Sequence, residues 1–262
     1  MLNLENGEHQ PTPPADNSAE IEKKPPKYAS RLVSKWPGRL SQDALLVYSK
    51  PEANNEVFGA FDGMSGMPGR PEIAAQAAAN AVALYLQQWD GKDCEPSEMT
   101  GWLKHAYDLA RSAVAVDGAH GSTTGTTVWI KEFEGNKFAA IGHAGDCGAY
   151  IIRGGDIIWL TEKQGGGSNV TNFFSGTPGN DHRMSQTDVF SLFEIQPGDR
   201  LVVCTDGITG SGTKNFLDDS ELLAASQGNT IEQTVGNLLV ASSQVHDDKA
   251  VVVVDAFLTK TK

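Results

Sequence analysis

Four short acidic motifs, each joined to an apolar run of strand-like composition, constrain this chain more than any other feature: Ser41-Gln42-Asp43, Phe61-Asp62-Gly63, Thr205-Asp206-Gly207 and His246-Asp247-Asp248. They come from both halves of the sequence. If the apolar runs are buried strands, the acids sit at strand ends and can converge, and unpaired carboxylates in such a place need cations. An all-oxygen cluster suits hard divalent ions such as magnesium or manganese. Taken singly, each Asp-Gly pair is also an ordinary turn dipeptide. What favours a site is the repeated coupling of acid to apolar run, with a glycine that lets its own carbonyl approach a ligand.

The remaining composition excludes several classes. A formal charge of −12 and a pI near 4.9 oppose a phosphate-backbone binder, so no nucleic-acid partner is expected. No run of about eighteen apolar residues is available to span a bilayer. The chain begins Met-Leu-Asn-Leu-Glu, without a basic or apolar leader pattern, and a cytoplasmic protein is expected. Cys94, Cys147 and Cys204 are odd in number and form no Cys-x-x-Cys pair, which suggests reduced thiols and neither a disulfide framework nor a zinc knuckle.

Residues 1–28 are rich in Pro, Glu, Asn and Lys with almost no apolar periodicity, so a disordered tail is expected there, followed by one globular domain over 29–262. Ala44–Tyr48 and Glu56–Phe61 read as two strands joined by a polar turn. Paired antiparallel, they bring Asp43 and Asp62 to the same end of a hairpin. Glu72–Trp89, entered through Pro71, and Ser97–Val116 read as helices, the second with Trp102, Leu103, Ala106, Leu109, Ala110 and Ala113 on one face. Strands follow at 126–130, 138–142, 149–152 and 157–160, the last two around Gly154-Gly155. A Gly-, Asn-, Ser- and Thr-rich loop is expected over 164–186. Leu201–Cys204 is a buried strand, helices begin near Asp219 and at Thr230, and Val251–Val254 is the last core strand. Short connections between most strands suggest an α+β fold of antiparallel sheets covered by helices.

The order and context of Gly59-Ala60-Phe61-Asp62-Gly63-Met64-Ser65-Gly66, Gly121–Thr127, Gly142-His143-Ala144-Gly145-Asp146, Leu160-Thr161-Glu162, Gln196–Leu201, Cys204–Ile208 and Asp247–Val254 resemble the metal-dependent serine/threonine protein phosphatases of type 2C. The match runs from about Arg31 to Phe257. The resemblance implies a four-layer α/β/β/α sandwich, with the metals at one end of two packed antiparallel sheets. It implies that Asp62 bridges two magnesium or manganese ions, that the Gly63 carbonyl ligates one, and that Asp206 and Asp247 ligate the other. Asp43 matches the acid that contacts the metal-bound waters, and Asp146 the acid that helps hold a weaker third ion. The implied reaction is hydrolysis of phosphoserine and phosphothreonine in proteins by a water or hydroxide bridging the ions, with no phosphoenzyme. The implied partner is a phosphoprotein, the target of a serine/threonine kinase.

The pattern also departs from the family. Met64 stands where many eukaryotic relatives have a histidine that protonates the leaving group, and His143 and His246 are alternative donors or plain structural histidines. Arg39 is the nearest candidate for the guanidinium that holds the substrate phosphate, with Lys35 and Arg31 as alternatives. The usual Gly-Asp-Ser-Arg segment reads Gly145-Asp146-Cys147-Gly148, without its arginine. The flap between Lys163 and Phe174 is shortened to a Gly-Gly-Gly loop, which predicts a more open site. Asp248 and Lys249 replace the common Asn and apolar residue, with Asp248 tuning metal affinity or simply starting the strand. The alternative function is a weak or inactive pseudophosphatase serving as a phosphoprotein-binding module, against which stands the presence of all four central acids.

Overall fold

Strand β3 (Asn55–Gly63) is buried along nearly its whole length, which a strand tolerates only when both faces of its sheet are covered. In the computed structural model, which describes residues 28–117, 119–166, 169–176, 187–210 and 215–255, the cover is a helical layer on one side and a second sheet on the other. Alternation along β3 divides its side chains accordingly: Val57 and Phe61 pack with the helices, Phe58 and Ala60 with the opposite sheet.

The first sheet joins β2 (Ala44–Lys50), β3, β4 (Ser122–Phe133), β5 (Asn136–Ala144) and β11 (Val189–Ile195) in the order β11-β5-β4-β3-β2, with the short β10 (Phe174–Ser175) pairing β4. The second joins β1 (Tyr28–Val33), β6 (Gly148–Arg153), β7 (Asp156–Trp159), β12 (Arg200–Cys204) and β13 (Lys249–Asp255) in the order β1-β13-β12-β6-β7. All these pairings are antiparallel. Helices α1 (Pro71–Leu86) and α2 (Pro96–Asp117) cover the first sheet; α3 (Asp219–Ser226) and α4 (Ile231–Ala241) cover the second. The result is the expected α/β/β/α sandwich.

Local chemistry explains most boundaries. Pro71 opens α1 at a position where a missing N–H costs nothing. The reciprocal capping box is at Asp218 and Glu221. At Thr230 only half of that motif forms: the hydroxyl accepts from Gln233 N, while the Gln233 side chain turns to Asn229 N. The buried face of α2 also differs from the expected one. It runs through Met99, Leu103, Ala106, Tyr107, Ala110 and Val114, leaving Leu109 exposed and Trp102 packed at a tilt on Trp89 at the surface.

β1 and β11 complete the sheet edges without having announced themselves in sequence; β1 begins at Tyr28, opposite Val254, and residues 1–27 lie outside the described residues. No helix of the described residues is long and apolar enough to cross a membrane.

Asn55 ties the helical layer to the sheet. Its amide donates to the Leu86 carbonyl and to Asp90 Oδ1, both at 2.8 Å, and its oxygen accepts from Trp129 Nε1 at 2.7 Å. Asn55 is fully buried, so truncation strands three partners at once. Asn55→Ala is expected to lower unfolding stability by about 2–3 kcal/mol. Urea denaturation measures this, and a loss below about 0.5 kcal/mol, the range of an ordinary surface change, contradicts it.

Candidate active site

The register of the two central hairpins places the acids. Ala44 pairs with Phe61 across β2 and β3, so Asp43 and Asp62 share one end of that hairpin. In the facing sheet Cys204 pairs with Val251 across β12 and β13, so Asp206 and Asp247 leave from the same end of theirs. Asp146 follows β5 in a turn where Gly145 has φ +105°, a value that side-chain-bearing residues rarely adopt. Gln164 holds that turn through its own N–H to the Gly145 carbonyl and through its side-chain oxygen, which accepts from Gly145 N, both at 2.8 Å.

Close approach of neighbouring strand ends within each sheet requires glycine after the acids. A Cβ on Gly63 would lie 2.4 Å from the Gln42 carbonyl oxygen, and one on Gly207 would lie 1.8 Å from that of Asp248. The Asp-Gly pairs are therefore more than turn dipeptides. Thr205 welds the two sheets at this end: its hydroxyl donates to Asp43 Oδ2 at 2.8 Å and accepts from Ala250 N at 3.0 Å. Asp62 is anchored through its carbonyl, which accepts from Thr123 Oγ1 at 2.7 Å.

The electrostatics are those of crowded like charges. Burial first, then the charges of Asp206 and Asp248, pushes Asp43 up to about 8, against the Thr205 hydrogen bond. Asp62 and Asp206 rise well above the ordinary carboxylate range, through burial and then mutual repulsion within the group that includes Asp43 and Asp146. Burial also raises Asp146, opposed by Lys163 and by a hydrogen bond from Thr124. Asp206 Oδ1 and Asp146 Oδ1 are buried with no hydrogen-bond partner among the described residues.

Asp247 stands slightly apart. Its Oδ1 accepts from the Lys35 ammonium at 3.0 Å and from Asp248 N at 2.9 Å. Burial lowers the Lys35 pKa, but the hydrogen bond and charge of Asp247, with the charges of Asp248 and Asp62, raise it overall. Among the described residues no three acids already converge as preformed metal ligands, and the ammonium on Asp247 is consistent with that. The donor set nevertheless fits a hard divalent ion. It is all oxygen, it holds two orphaned buried carboxylate oxygens, and its mutual repulsion is what a cation relieves.

Other expected residues fall out differently. Arg39 is exposed on the Trp36–Arg39 turn, with no side-chain hydrogen bond or ion pair among the described residues, whereas Lys35 pairs with Asp247. Asp248 is a buried clamp: Oδ1 accepts from Lys35 N and Oδ2 from Gln42 N, each at 2.6 Å, fixing the loop that presents Lys35 and Asp43. An asparagine could accept only one of these bonds through its amide oxygen. His143 lies with Nε2 2.8 Å from the Glu162 carbonyl and Nδ1 2.8 Å from the Thr126 hydroxyl, and burial pushes its pKa down to about 4. It is a neutral structural histidine. His246 is exposed, and Met64 offers no proton.

The shortened loop is the small hairpin β8 (Gly165–Gly166) and β9 (Asn169–Val170), with 167–168 outside the described residues. A polar network that sequence reasoning missed closes it. Asn172 bonds Gln164 Oε1 at 3.0 Å and Asp188 Oδ1 at 2.9 Å, while Arg111 reaches Asn172, Asp188 and the Phe173 carbonyl. Asp188 and Arg111 lie too far apart in sequence for any local signal to join them.

The sequence model of protein phosphatase 2C matches residues 37–239, which span the acids from Asp43 to Asp206. The chain belongs to this family. No curated protein matches the sequence. The fold of this type 2C phosphatase is similar to the serine/threonine phosphatase PstP/Ppp of Mycobacterium tuberculosis, at 21% identity and TM-score 0.63 over 86% of this chain and 96% of that one. It is similar to the catalytic domain of PstP in complex with two manganese ions, at 20% identity and TM-score 0.61 over 86% and 96%. Stp1 of Staphylococcus aureus gives 16% identity and TM-score 0.67 over 87% and 94%.

Protons and a divalent ion would compete at this carboxylate cluster. A carboxyl raised from 3.8 to about 8, as Asp43 is, contributes metal-free stability that is complete below the lower value and lost as pH rises through the upper one. A divalent ion at the neighbouring acids would favour the ionised form of Asp43 and release that proton. The gain in Tm on saturating manganese is therefore expected to grow between about pH 5 and pH 8. An equal gain at both ends, measured by differential scanning fluorimetry, contradicts the shared cluster.

Proposed function

We propose that this family member hydrolyses phosphoserine and phosphothreonine in proteins with magnesium or manganese. The supporting observation is the gathering of Asp43, Asp62, Asp146 and Asp206 at one end of the two sheets, with Asp206 Oδ1 and Asp146 Oδ1 buried and unpartnered. Asp62, the Gly63 carbonyl, Asp206 and Asp247 would hold two ions, with Asp146 beside a third. Bound there, the ions supply Lewis acidity toward the phosphoryl oxygens and an activated water.

The protein's own groups do the rest. Asp43, held by the Thr205 hydroxyl, would take the proton of the attacking water when in its carboxylate form. Lys35 has an ammonium at the carboxylate cluster, where it can meet a substrate phosphate; Asp248 holds its backbone. No cysteine is positioned as a nucleophile: burial pushes the Cys147 thiol well up, next to Asp62 and Asp146, and raises that of Cys204 to about 12. With His143 held neutral and Met64 in the usual histidine position, the leaving alkoxide takes its proton from solvent or from a cluster carboxyl.

The rival reading is a silent phosphoprotein-binding module, and the Lys35–Asp247 pair is what favours it. Hydrolysis of p-nitrophenyl phosphate and a phosphothreonine peptide with manganese, magnesium or EDTA separates the two. Metal-dependent turnover is expected, and Asp206→Asn should reduce kcat by at least about 10²–10³-fold, the cost of removing one electrostatic stabiliser. A folded, metal-loaded protein without turnover sinks the catalytic reading.

A further inference from the structure

Beside Asp146 lies a cavity of about 190 Å³ with apolar walls from Trp159, Phe216, Leu217 and Leu222, which Lys163 also lines. Its walls are unusual for a solvent-facing surface. Trp159 is 37% exposed and Phe216 61% exposed, while Leu222 beneath them is fully buried. Isolated exposed apolar residues need no explanation, but two large aromatics around one concavity mark a binding surface.

The cavity follows from two departures of the sequence from its family. Gly148 stands where relatives carry an arginine, and a Cβ there would already come within 3.1 Å of the Trp159 ring. A side chain at this position would crowd the indole that lies across the start of β6. The ring is then fixed on its other sides by packing against Tyr150, centroids 4.9 Å apart, and by donation from Nε1 to Asp219 Oδ1 at 2.9 Å. The loop after Lys163, reduced to the β8–β9 hairpin, is drawn toward Asp188 and Arg111 by the Gln164–Asn172 network.

The size of the cavity decides its occupant. It is smaller than the roughly 300–1,000 Å³ of pockets for free metabolites and cofactors. It is the right scale for one side chain. It is also continuous with the catalytic cluster, because Asp146 belongs to both. A chain whose phosphorylated residue reaches the carboxylates passes this opening with a neighbouring residue.

We propose that the Trp159–Phe216 cavity is a specificity pocket for a leucine- or phenylalanine-sized side chain flanking the phosphorylated residue of the substrate. The pocket deepens the proposed phosphatase function and rests on it. A peptide without such a neighbour gains nothing from the pocket and is handled like a small ester in an open site.

The test is a set of phosphothreonine peptides in which leucine is walked through the positions on either side of the phosphoresidue in a glycine background, assayed with manganese. At one position leucine should raise kcat/KM about tenfold or more over the all-glycine peptide, and Phe216→Ala should bring that ratio close to one. Phe216 is exposed, so the variant leaves the core intact. Non-hydrolysable phosphonate versions of the same peptides, titrated against tryptophan emission with Trp159→Phe as the control, report binding without turnover. Turnover that ignores leucine at every position, or a preference that survives Phe216→Ala, overturns the pocket and leaves the phosphatase standing. Selective binding of the leucine phosphonate without turnover of any peptide supports the pocket and overturns the catalytic reading. Neither binding nor turnover overturns both.

Discussion

Mutual repulsion among carboxylates is the constraint around which one end of this sandwich is organised. Asp43, Asp62, Asp146 and Asp206 come from two sheets and are close enough to raise one another's pKa. Nothing about such an arrangement is favourable by itself; the cost is met by the packing of the rest of the fold. Phe58, Val128 and Ile141 interleave with Ile151, Val203 and Val252 between the sheets, and the strand ends are thereby held in register. The acids come to the same end of the sandwich because the hydrophobic middle fixes the register of their strands.

The immediate supports are polar and local to the site. Thr205 bridges Asp43 and the start of β13, and Asp248 gathers the backbone amides of Lys35 and Gln42. Lys35 then brings a cation to Asp247 from within the chain. A fixed ammonium offsets part of the surplus of negative charge at Asp247, and the proposed divalent ions would offset more of it. Asp248 acts on the loop that presents Lys35 through its hydrogen bonds from two backbone amides.

Much of this was legible in the sequence, for identifiable reasons. The β2–β3 hairpin could be read because an acid bounds each apolar run and a polar turn joins them, which leaves one antiparallel register. The α2 face was misassigned because hydropathy counts Trp102 and Leu109 as core, whereas Tyr107, whose hydroxyl donates to the Gly142 carbonyl at 2.6 Å, is buried in their place. β1 and β11 are edge strands with half-exposed residues, so their alternation is weak. At the site, the acids were visible as motifs. The Lys35–Asp247 pair, the Asp248 clamp and the Thr205–Asp43 bond join residues more than 160 positions apart, and no local pattern encodes such distances. The Trp159–Phe216 cavity was likewise hidden, because it depends on what Gly148 lacks.

Crystals grown with manganese and measured at its absorption edge test the central claim most directly. The account expects two anomalous peaks about 3.5–4 Å apart, bridged by Asp62, with Asp247 turned from Lys35 toward one of them. Crystals equilibrated with manganese that show no peak at these acids, and Lys35 still seated on Asp247, would contradict it.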